Sequence, residues 1–167
     1  MNTKVGETLH HAAETEWMAR AIDLATTNVT SGGGPFGALV ALDGEVVATG
    51  TNRVTSALDP TAHAEVTAMR QACRVLETFA LDNCVLVTSC EPCPMCLSSA
   101  LWSRIDRIVY AADRDDAARG GFDDRKFYDL FEKRSESDWP MRMQRIAMPN
   151  RTEPFDTWLA KTDRVDY

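Results

Sequence analysis

Three residues in the middle of the chain have the types and spacing of a metal site. Cys93 comes thirty residues after His63, and Cys96 comes three residues after Cys93. Cysteines three apart on a helix lie on one face, so this pair can hold one ion. The positive end of a helix dipole also favours the thiolates that bind metal. One imidazole and two thiolates give zinc three protein ligands and leave a position for water, which is typical of catalytic zinc.

Glu65 is a candidate for proton transfer at this predicted metal site. It lies two residues after His63, a separation too short for it to serve comfortably as another ligand from a regular helix. Zinc lowers the pKa of a water that it holds to about 7. Glu65 could take a proton from that water and deliver it to a substrate. The residues therefore predict a hydrolytic zinc site with Glu65 as the catalytic acid and base.

Two other interpretations of the cysteines stay open at this point. Cys90 lies three residues before Cys93, so it could complete a closed structural Cys3His site in which Glu65 has no role. Cys93 and Cys96 also have the spacing of a thioredoxin-like redox motif, although that leaves His63 unexplained. The odd number of cysteines, five, argues against a disulfide framework.

The elements around these residues are predicted to alternate between helices and strands. Asp43-Gly44 separates two short apolar runs and is typical of a type I′ hairpin turn. Helices that alternate with strands indicate crossovers, and hence an α/β fold whose mixed sheet is covered on both faces. The predicted helices are about 11–28, 63–76, 94–102, 115–119, 125–131 and 154–160, and the predicted strands are 37–42, 45–49, 84–88, 107–112 and 141–146.

The composition is that of one soluble globular domain. The chain has 167 residues, of which 44% are hydrophobic and 26% are charged, and this fits a single domain over 1–167. The net charge of −7 argues against nucleic acid as a partner. The longest apolar run, Ala38 to Leu42, is far too short to cross a bilayer, and no signal-peptide segment is recognised. We therefore expect a cytoplasmic protein with no membrane partner.

Motifs spread over nearly the whole chain are similar to those of one superfamily of zinc enzymes. They are Gly33-Gly-Pro-Phe-Gly37, Asn52, Asp59-Pro-Thr-Ala-His-Ala-Glu-Val-Thr67, Thr88-Ser-Cys-Glu-Pro-Cys-Pro-Met-Cys96 and Gly121-Phe-Asp-Asp124. On these residues the sequence resembles the cytidine-deaminase-like superfamily. The last motif and a tail that ends in Tyr167 resemble its guanine deaminase branch. The resemblance implies a three-layer αβα fold with a mixed five-stranded sheet, and a homodimer that exchanges C-terminal segments, about 132–167.

The same resemblance implies an activity and a role for each site residue. The activity is the hydrolytic deamination of guanine at C2 to xanthine and ammonia, in purine catabolism or salvage, with one zinc ion per subunit and a catalytic water. The implied ligands are His63, Cys93 and Cys96, and Glu65 moves the protons. Asn52 and Asp124 are implied to orient the base, and Ala64 to offer its backbone N–H. Phe36 and Trp102 would line the pocket as substrate-binding residues. Tyr167 would close the pocket of the neighbouring subunit.

Rival functions also fit parts of the sequence. The substrate could be guanosine, cytosine or a related aminated heterocycle, or adenosine in a tRNA loop. A tRNA enzyme needs a basic surface near its site, whereas residues 132–167 carry seven basic and seven acidic side chains. A zinc-stabilised binding module without turnover is a hypothesis of another class. Asp124 could also be an ordinary helix cap, and Asn52 a turn residue.

Overall fold

The computed structural model describes residues 3–132, 139–141 and 143–165, and for residues 3–12 it describes the backbone. The chain divides into two compact units, Met1–Phe127 and Tyr128–Tyr167. The described elements, in chain order, are α1 (Thr3–Thr30), β1 (Gly37–Leu42), β2 (Glu45–Thr51), α2 (Val54–Ala57), α3 (Ala64–Val75), β3 (Val85–Cys90), α4 (Pro94–Trp102), β4 (Arg107–Ala112), α5 (Arg114–Arg119), α6 (Arg125–Glu132) and α7 (Glu153–Ala160).

The first unit is built on a mixed sheet with the strand order β2-β1-β3-β4. Strand β1 is antiparallel to β2 and to β3, whereas β3 and β4 are parallel. Helix α4 makes the crossover that two consecutive parallel strands require. Asp43 and Gly44 have φ angles of 50° and 87°, as the predicted type I′ turn demands. The prediction of an α/β fold with a mixed sheet is therefore confirmed.

The expectation of a fifth strand is wrong. In the described part of the chain the sheet has four strands, and residues 141 and 143–146, where a strand was predicted, have no strand structure. The apolar side chains of this segment, Met141, Met143 and Ile146, are all exposed. The regular structure described in the second unit is helical. Among the described residues of its own unit, this segment therefore has no strand with which to form ladder hydrogen bonds.

Helices cover both faces of the sheet. Helix α1 packs on one face, where Ala21 lies with Leu39 and Val87 in a fully buried cluster. Helix α3 packs on the other face, where Met69 and Leu86 belong to a second buried cluster. Successive residues of a strand point to opposite faces, which explains how neighbouring residues of β3 serve both clusters. The first unit thus has the three αβα layers that the sequence predicts.

A glycine in β2 sets the position of the helix that carries part of the site. A Cβ atom at Gly50 would lie 2.3 Å from the carbonyl oxygen of Ala64, the first residue of α3. Only glycine permits so close an approach of helix to strand. The start of α3, with His63 before it and Glu65 in its first turn, is therefore held directly against the sheet.

Two helices differ from their predicted bounds. Helix α1 begins at Thr3 rather than near His11. A single helical turn, α2, lies within the predicted loop 52–59 and ends at Leu58, whose φ is 50°. In the described part of the chain, no helix is both long enough and apolar enough to cross a membrane.

Candidate active site

The three predicted metal ligands lie at the starts of two helices. His63 has extended backbone angles and immediately precedes α3. Cys93 likewise precedes α4, which begins at Pro94 as the sequence predicts, and Cys96 is buried in the first turn of α4. Proline suits this position because its fixed φ and missing N–H cost nothing at a helix start. Both helix dipoles therefore direct their positive ends to one place, which favours thiolates there.

The spacing of the three donor atoms fits a zinc ion. The Nδ1 atom of His63 lies 3.6 Å from Sγ of Cys93 and 3.5 Å from Sγ of Cys96. Tetrahedral zinc with ordinary bond lengths separates a nitrogen and a sulfur ligand by about 3.6 Å. Among the described residues these three form a candidate metal group, with all ligand atoms within 4.8 Å of one another. One tetrahedral position is left for water or substrate.

Cys90 is not part of this group. Its thiol donates a hydrogen bond to the carbonyl oxygen of Asp113 at 3.6 Å. Burial, together with the nearby charge of Glu65, raises the pKa of Cys90 to about 11, so it stays a thiol at neutral pH. Its sulfur is not among the ligand atoms that lie within 4.8 Å of one another. This geometry favours the open three-ligand site over the closed Cys3His alternative.

Proton sharing within the group prepares Cys93 to bind a cation. The Cys96 thiol donates to the sulfur of Cys93, which lowers the pKa of Cys93 to about 4 and raises that of Cys96. The hydrogen bond between His63 and Cys93 raises the pKa of His63. These neighbours therefore favour the thiolate form of Cys93.

Glu65 lies beside the metal group and is almost completely buried. It belongs to the first turn of α3, and 5% of its surface is exposed. Burial raises the pKa of its carboxyl group because the charged form loses solvation. A carboxylate whose pKa lies above its ordinary value is a stronger base and therefore a better proton acceptor. Its surroundings therefore suit the predicted role in proton transfer.

A cavity of about 560 Å³ gives access to Glu65 and the metal group. This volume is within the usual range for small-molecule sites. The rings of Phe36 and Phe122 meet edge to face in its wall, with their centroids 5.0 Å apart. The lining residues fall into three groups: the loop 32–34 with Phe36, Asn52, Val54 and Thr55; the metal side with His63, Glu65, Cys90, Glu91 and Cys93; and the segment formed by Arg114, Ala117, Gly121, Phe122, Asp123, Asp124 and Phe127.

Asn52 lies on one side of this cavity, directly after β2. Its backbone N–H donates to the carbonyl oxygen of Phe36 at 3.2 Å, and its Oδ1 accepts from the N–H of Val54 at 3.3 Å. It is 9% exposed. The carboxamide is thus held in a defined orientation at the cavity wall, where its NH2 group can face a ligand.

Asp124 brings an unpaired acceptor to the same cavity. Its Oδ1 is buried and has no hydrogen-bond partner among the described residues. Burial, with the nearby charge of Cys93, raises the pKa of this carboxyl group. The cap interpretation does not fit, because the side chain that accepts from the first N–H of α6, at 3.1 Å, is that of Asp123. A buried acceptor without a donor is costly, so Asp124 is suited to a ligand that supplies one.

A comparison with protein families identifies this arrangement. The model described as the cytidine and deoxycytidylate deaminase zinc-binding region matches residues 12–112, more than half of the chain, including both halves of the metal site. The chain belongs to the cytidine and deoxycytidylate deaminase family. It is therefore a hydrolytic deaminase of a zinc-dependent family, and the predicted zinc cofactor is confirmed.

Within the family, one guanine deaminase matches this chain over nearly its whole length. The guanine deaminase of Bacillus subtilis is 44% identical in an alignment that covers 90% of this chain and 97% of the relative. Its crystal structure matches with a TM-score of 0.88, over 92% of this chain and 98% of that structure. The structure of the guanine deaminase from Nitrosomonas europaea is 38% identical and has a TM-score of 0.62, over 65% of this chain and 63% of that structure. A tRNA-specific adenosine deaminase of Aquifex aeolicus is 41% identical over 47% of this chain and 52% of the relative.

Two predicted substrate contacts of this deaminase do not line the cavity in the described structure. Trp102 ends α4 and is 73% exposed, so the structure does not bring it to the cavity of its own chain. Ala64 is fully buried and its side chain is absent from the lining, although it begins α3 between His63 and Glu65. Tyr167 lies outside the described residues.

The deaminase cavity also contains groups that sequence reasoning missed. Glu91 accepts from the backbone N–H of Arg114 at 3.2 Å and from its Nε at 3.1 Å, and it makes a further contact with the guanidinium. This pairing lowers the pKa of Glu91, so a fixed negative charge lies at the cavity wall. The ring of Phe122 was missed as well. Its position inside the Gly121-Phe-Asp-Asp124 motif, next to two acids, was the signal available for it.

Proposed function

We propose that the chain hydrolyses guanine at C2 and releases xanthine and ammonia. The observation that carries this proposal is the unpaired, buried Oδ1 of Asp124 in the cavity that also contains Glu65 and the metal group. Guanine presents its N1–H and its exocyclic amine as adjacent donors, which a carboxylate complements. The match to the Bacillus subtilis guanine deaminase over 90% of the chain supports the same substrate.

The cavity wall offers a complementary set of groups for a flat purine. Asp124 would accept from the two adjacent donors, and the carboxamide of Asn52 would meet another edge of the ring with a donor. Phe36 and Phe122 provide aromatic surface beside these polar groups. The backbone N–H of Ala64, in the first turn of α3, is available for a ring or carbonyl acceptor.

Glu65 would perform the proton transfers of the reaction. Zinc, when bound, supplies Lewis acidity that brings the pKa of a coordinated water to about 7. Glu65 would take one proton from the attacking water and deliver it to a ring nitrogen, and would then take the second proton from the hydroxyl on C2 and deliver it to the leaving amine. The water oxygen bonds to C2, the bond from C2 to the amine nitrogen breaks, and guanine and water are converted to xanthine and ammonia. His63, Cys93 and Cys96 keep the metal in place throughout.

Asp124→Ala is expected to lower kcat/KM for guanine by about 10²-fold or more while changing the melting temperature little. Loss of a buried acceptor for two substrate donors removes charged hydrogen bonds from the bound state. Asp129→Ala is the matched control, because Asp129 is an exposed acid of the next helix, α6, and is not among the residues that line the cavity. It should leave kcat/KM nearly unchanged. Equal kinetic effects in the two variants would contradict the role of Asp124.

A substrate panel tests the proposed function itself. Zinc-loaded protein is incubated with guanine, guanosine, adenine, cytosine, cytidine and an adenosine-containing tRNA anticodon stem-loop, and ammonia is measured. We expect release from guanine at a kcat/KM at least about 10²-fold above the others, since a site built for given donors rejects ligands that lack them. Faster release from another base would replace guanine as the substrate. No release from any of them would favour a zinc-stabilised binding module.

A homodimer with exchanged C-terminal segments, about 132–167, is part of the same proposal. The family resemblance supports it, and so do the exposed apolar side chains of α4, where Leu101 is 72% exposed beside Trp102. Strand β4 is an edge of the sheet, and its Tyr110 is half exposed. A cytoplasmic location, in purine catabolism or salvage, also belongs to the proposal, because thiolate ligands need a reducing compartment.

Deleting Asp166 and Tyr167 is expected to leave zinc content and dimer mass unchanged but to lower kcat/KM for guanine by about tenfold or more. An aromatic side chain over a bound purine would exclude water and stack on the ring. Tyr167→Phe should therefore retain more activity than Tyr167→Ala. Light scattering and guanine kinetics on the same preparations check both statements. Unchanged kinetics in the truncated protein would exclude a closing role for the tail.

A further inference from the structure

Asn28, near the end of α1, ties together two segments that wall the cavity. Its Nδ2 donates to the carbonyl oxygen of Gly34 at 2.8 Å and to that of Asn52 at 2.9 Å. Both N–H groups of one amide are thus used, one on each segment. In the described structure Asn28 itself does not line the cavity, whereas Gly34 and Asn52 do. Its side chain therefore holds two residues of the cavity wall without lining the cavity itself.

The loop 32–34, here called the glycine loop, packs against Asn28. The N–H of Gly33 donates to the backbone carbonyl oxygen of Asn28 at 2.9 Å. A Cβ atom at Gly33 would lie 2.2 Å from the Nδ2 of Asn28, so another residue here would displace the amide. The loop is thus joined to the end of α1 by hydrogen bonds from both the backbone and the side chain of Asn28.

The same contacts determine where the Asn52 carboxamide lies. A Cβ atom at Gly34 would lie 3.0 Å from the Cγ and Oδ1 of Asn52, so the loop backbone packs directly on this amide. The N–H of Asn52 is held by the carbonyl oxygen of Phe36, and its C=O is held by Asn28. Loss of Asn28 would release the Asn52 carbonyl and the loop at once.

We propose that Asn28 is a positioning residue for the substrate, which acts by orienting the Asn52 amide, both directly and through the glycine loop that packs on this amide. This inference rests on the proposed role of Asn52 in binding the base. Asparagine is suited to the task because one short amide supplies two donors to two carbonyl oxygens. Aspartate has nearly the same shape but would set a negative charge against both oxygens, and alanine would leave both without this donor.

Asn28→Ala is expected to lower kcat/KM for guanine by about 10- to 100-fold at unchanged zinc content, because small misplacements of a binding group have effects of this size. Asn28→Asp should be at least as damaging. Thr26→Ala is the control on the same helix, since its hydroxyl donates to the carbonyl oxygen of Ile22 at 3.0 Å and does not reach the loop. It should leave kcat/KM within about twofold.

A double-mutant cycle with Asn52→Ala separates positioning from a general loss of structure. If Asn28 acts through Asn52, adding Asn28→Ala to Asn52→Ala should lower kcat/KM by less than about threefold. The same factor in both backgrounds, or an Asn28→Ala protein with normal kinetics, would overturn the proposal. Measuring guanine dissociation constants in zinc-loaded Glu65→Gln protein repeats the cycle without turnover. A wild-type protein that binds guanine but does not deaminate it would refute the proposed function while this binding cycle still tests Asn28.

Discussion

Glu65→Gln is expected to retain one zinc per chain and to lower kcat for guanine by about 10²- to 10⁴-fold or more. The substitution keeps the size of the side chain and all three ligands but removes the group that carries protons. Positioned acid and base catalysis contributes on this order for one transfer, and Glu65 would act in more than one. Zinc analysis and ammonia release on the same preparation measure both halves of the expectation.

The exposed Glu77, just beyond the end of α3, provides a matched control for this change. Glu77→Gln alters the charge by the same amount just after the same helix and should leave kcat within about twofold. A Glu65→Gln protein that is fully loaded with zinc and turns over guanine at a near-normal rate would remove Glu65 from the mechanism. A loss of zinc in Glu65→Gln alone would instead make Glu65 a metal ligand.

Cys93→Ser and Cys96→Ser are each expected to lose most of their zinc and to reduce activity to the background rate. Each removes one of three protein ligands, and a serine hydroxyl is a much weaker zinc ligand than a thiolate. The measurement is zinc retained after dialysis against a chelator concentration that leaves the unmodified protein loaded. Guanine deamination is then assayed on the same samples.

Cys90→Ser is the control that separates an open site from a closed one. The Cys90 thiol bonds to the carbonyl oxygen of Asp113, and its raised pKa keeps it protonated. A hydroxyl can donate the same bond, so this variant should keep its zinc and most of its activity. Equal zinc loss in the Cys90, Cys93 and Cys96 variants would support a closed Cys3His site and contradict the catalytic interpretation.

The metal site was predictable from sequence because its chemistry dictates residue types as well as positions. His63 and Cys93 are thirty residues apart, yet one imidazole and a CxxC pair at two helix starts admit few explanations. The hairpin at Asp43-Gly44 was predictable for a similar reason, since few residue pairs adopt positive φ at adjacent positions. In both cases a local pattern has a narrow set of structural solutions.

Contacts between distant segments were not predictable in this way. The amide of Asn28 reaches the carbonyl of Asn52 across 24 positions, and any polar side chain at a helix end could have been solvated instead. The short segment 141–146 was predicted as a strand, but a strand also needs a partner strand, which a local sequence pattern does not supply. Trp102 shows the same limit, because an aromatic residue at the end of a helix can wall a pocket or, as here, be exposed.

Labelling with oxygen-18 shows directly whether water supplies the oxygen that replaces the amine of guanine. Zinc-loaded protein converts guanine in water enriched in oxygen-18, and the product is identified by mass spectrometry while ammonia is measured in the same reaction. The account predicts xanthine that carries one oxygen from water, formed in a one-to-one ratio with ammonia, and almost none with Glu65→Gln. Guanine recovered unchanged from the zinc-loaded protein, or xanthine without the label, would contradict hydrolytic deamination at this site.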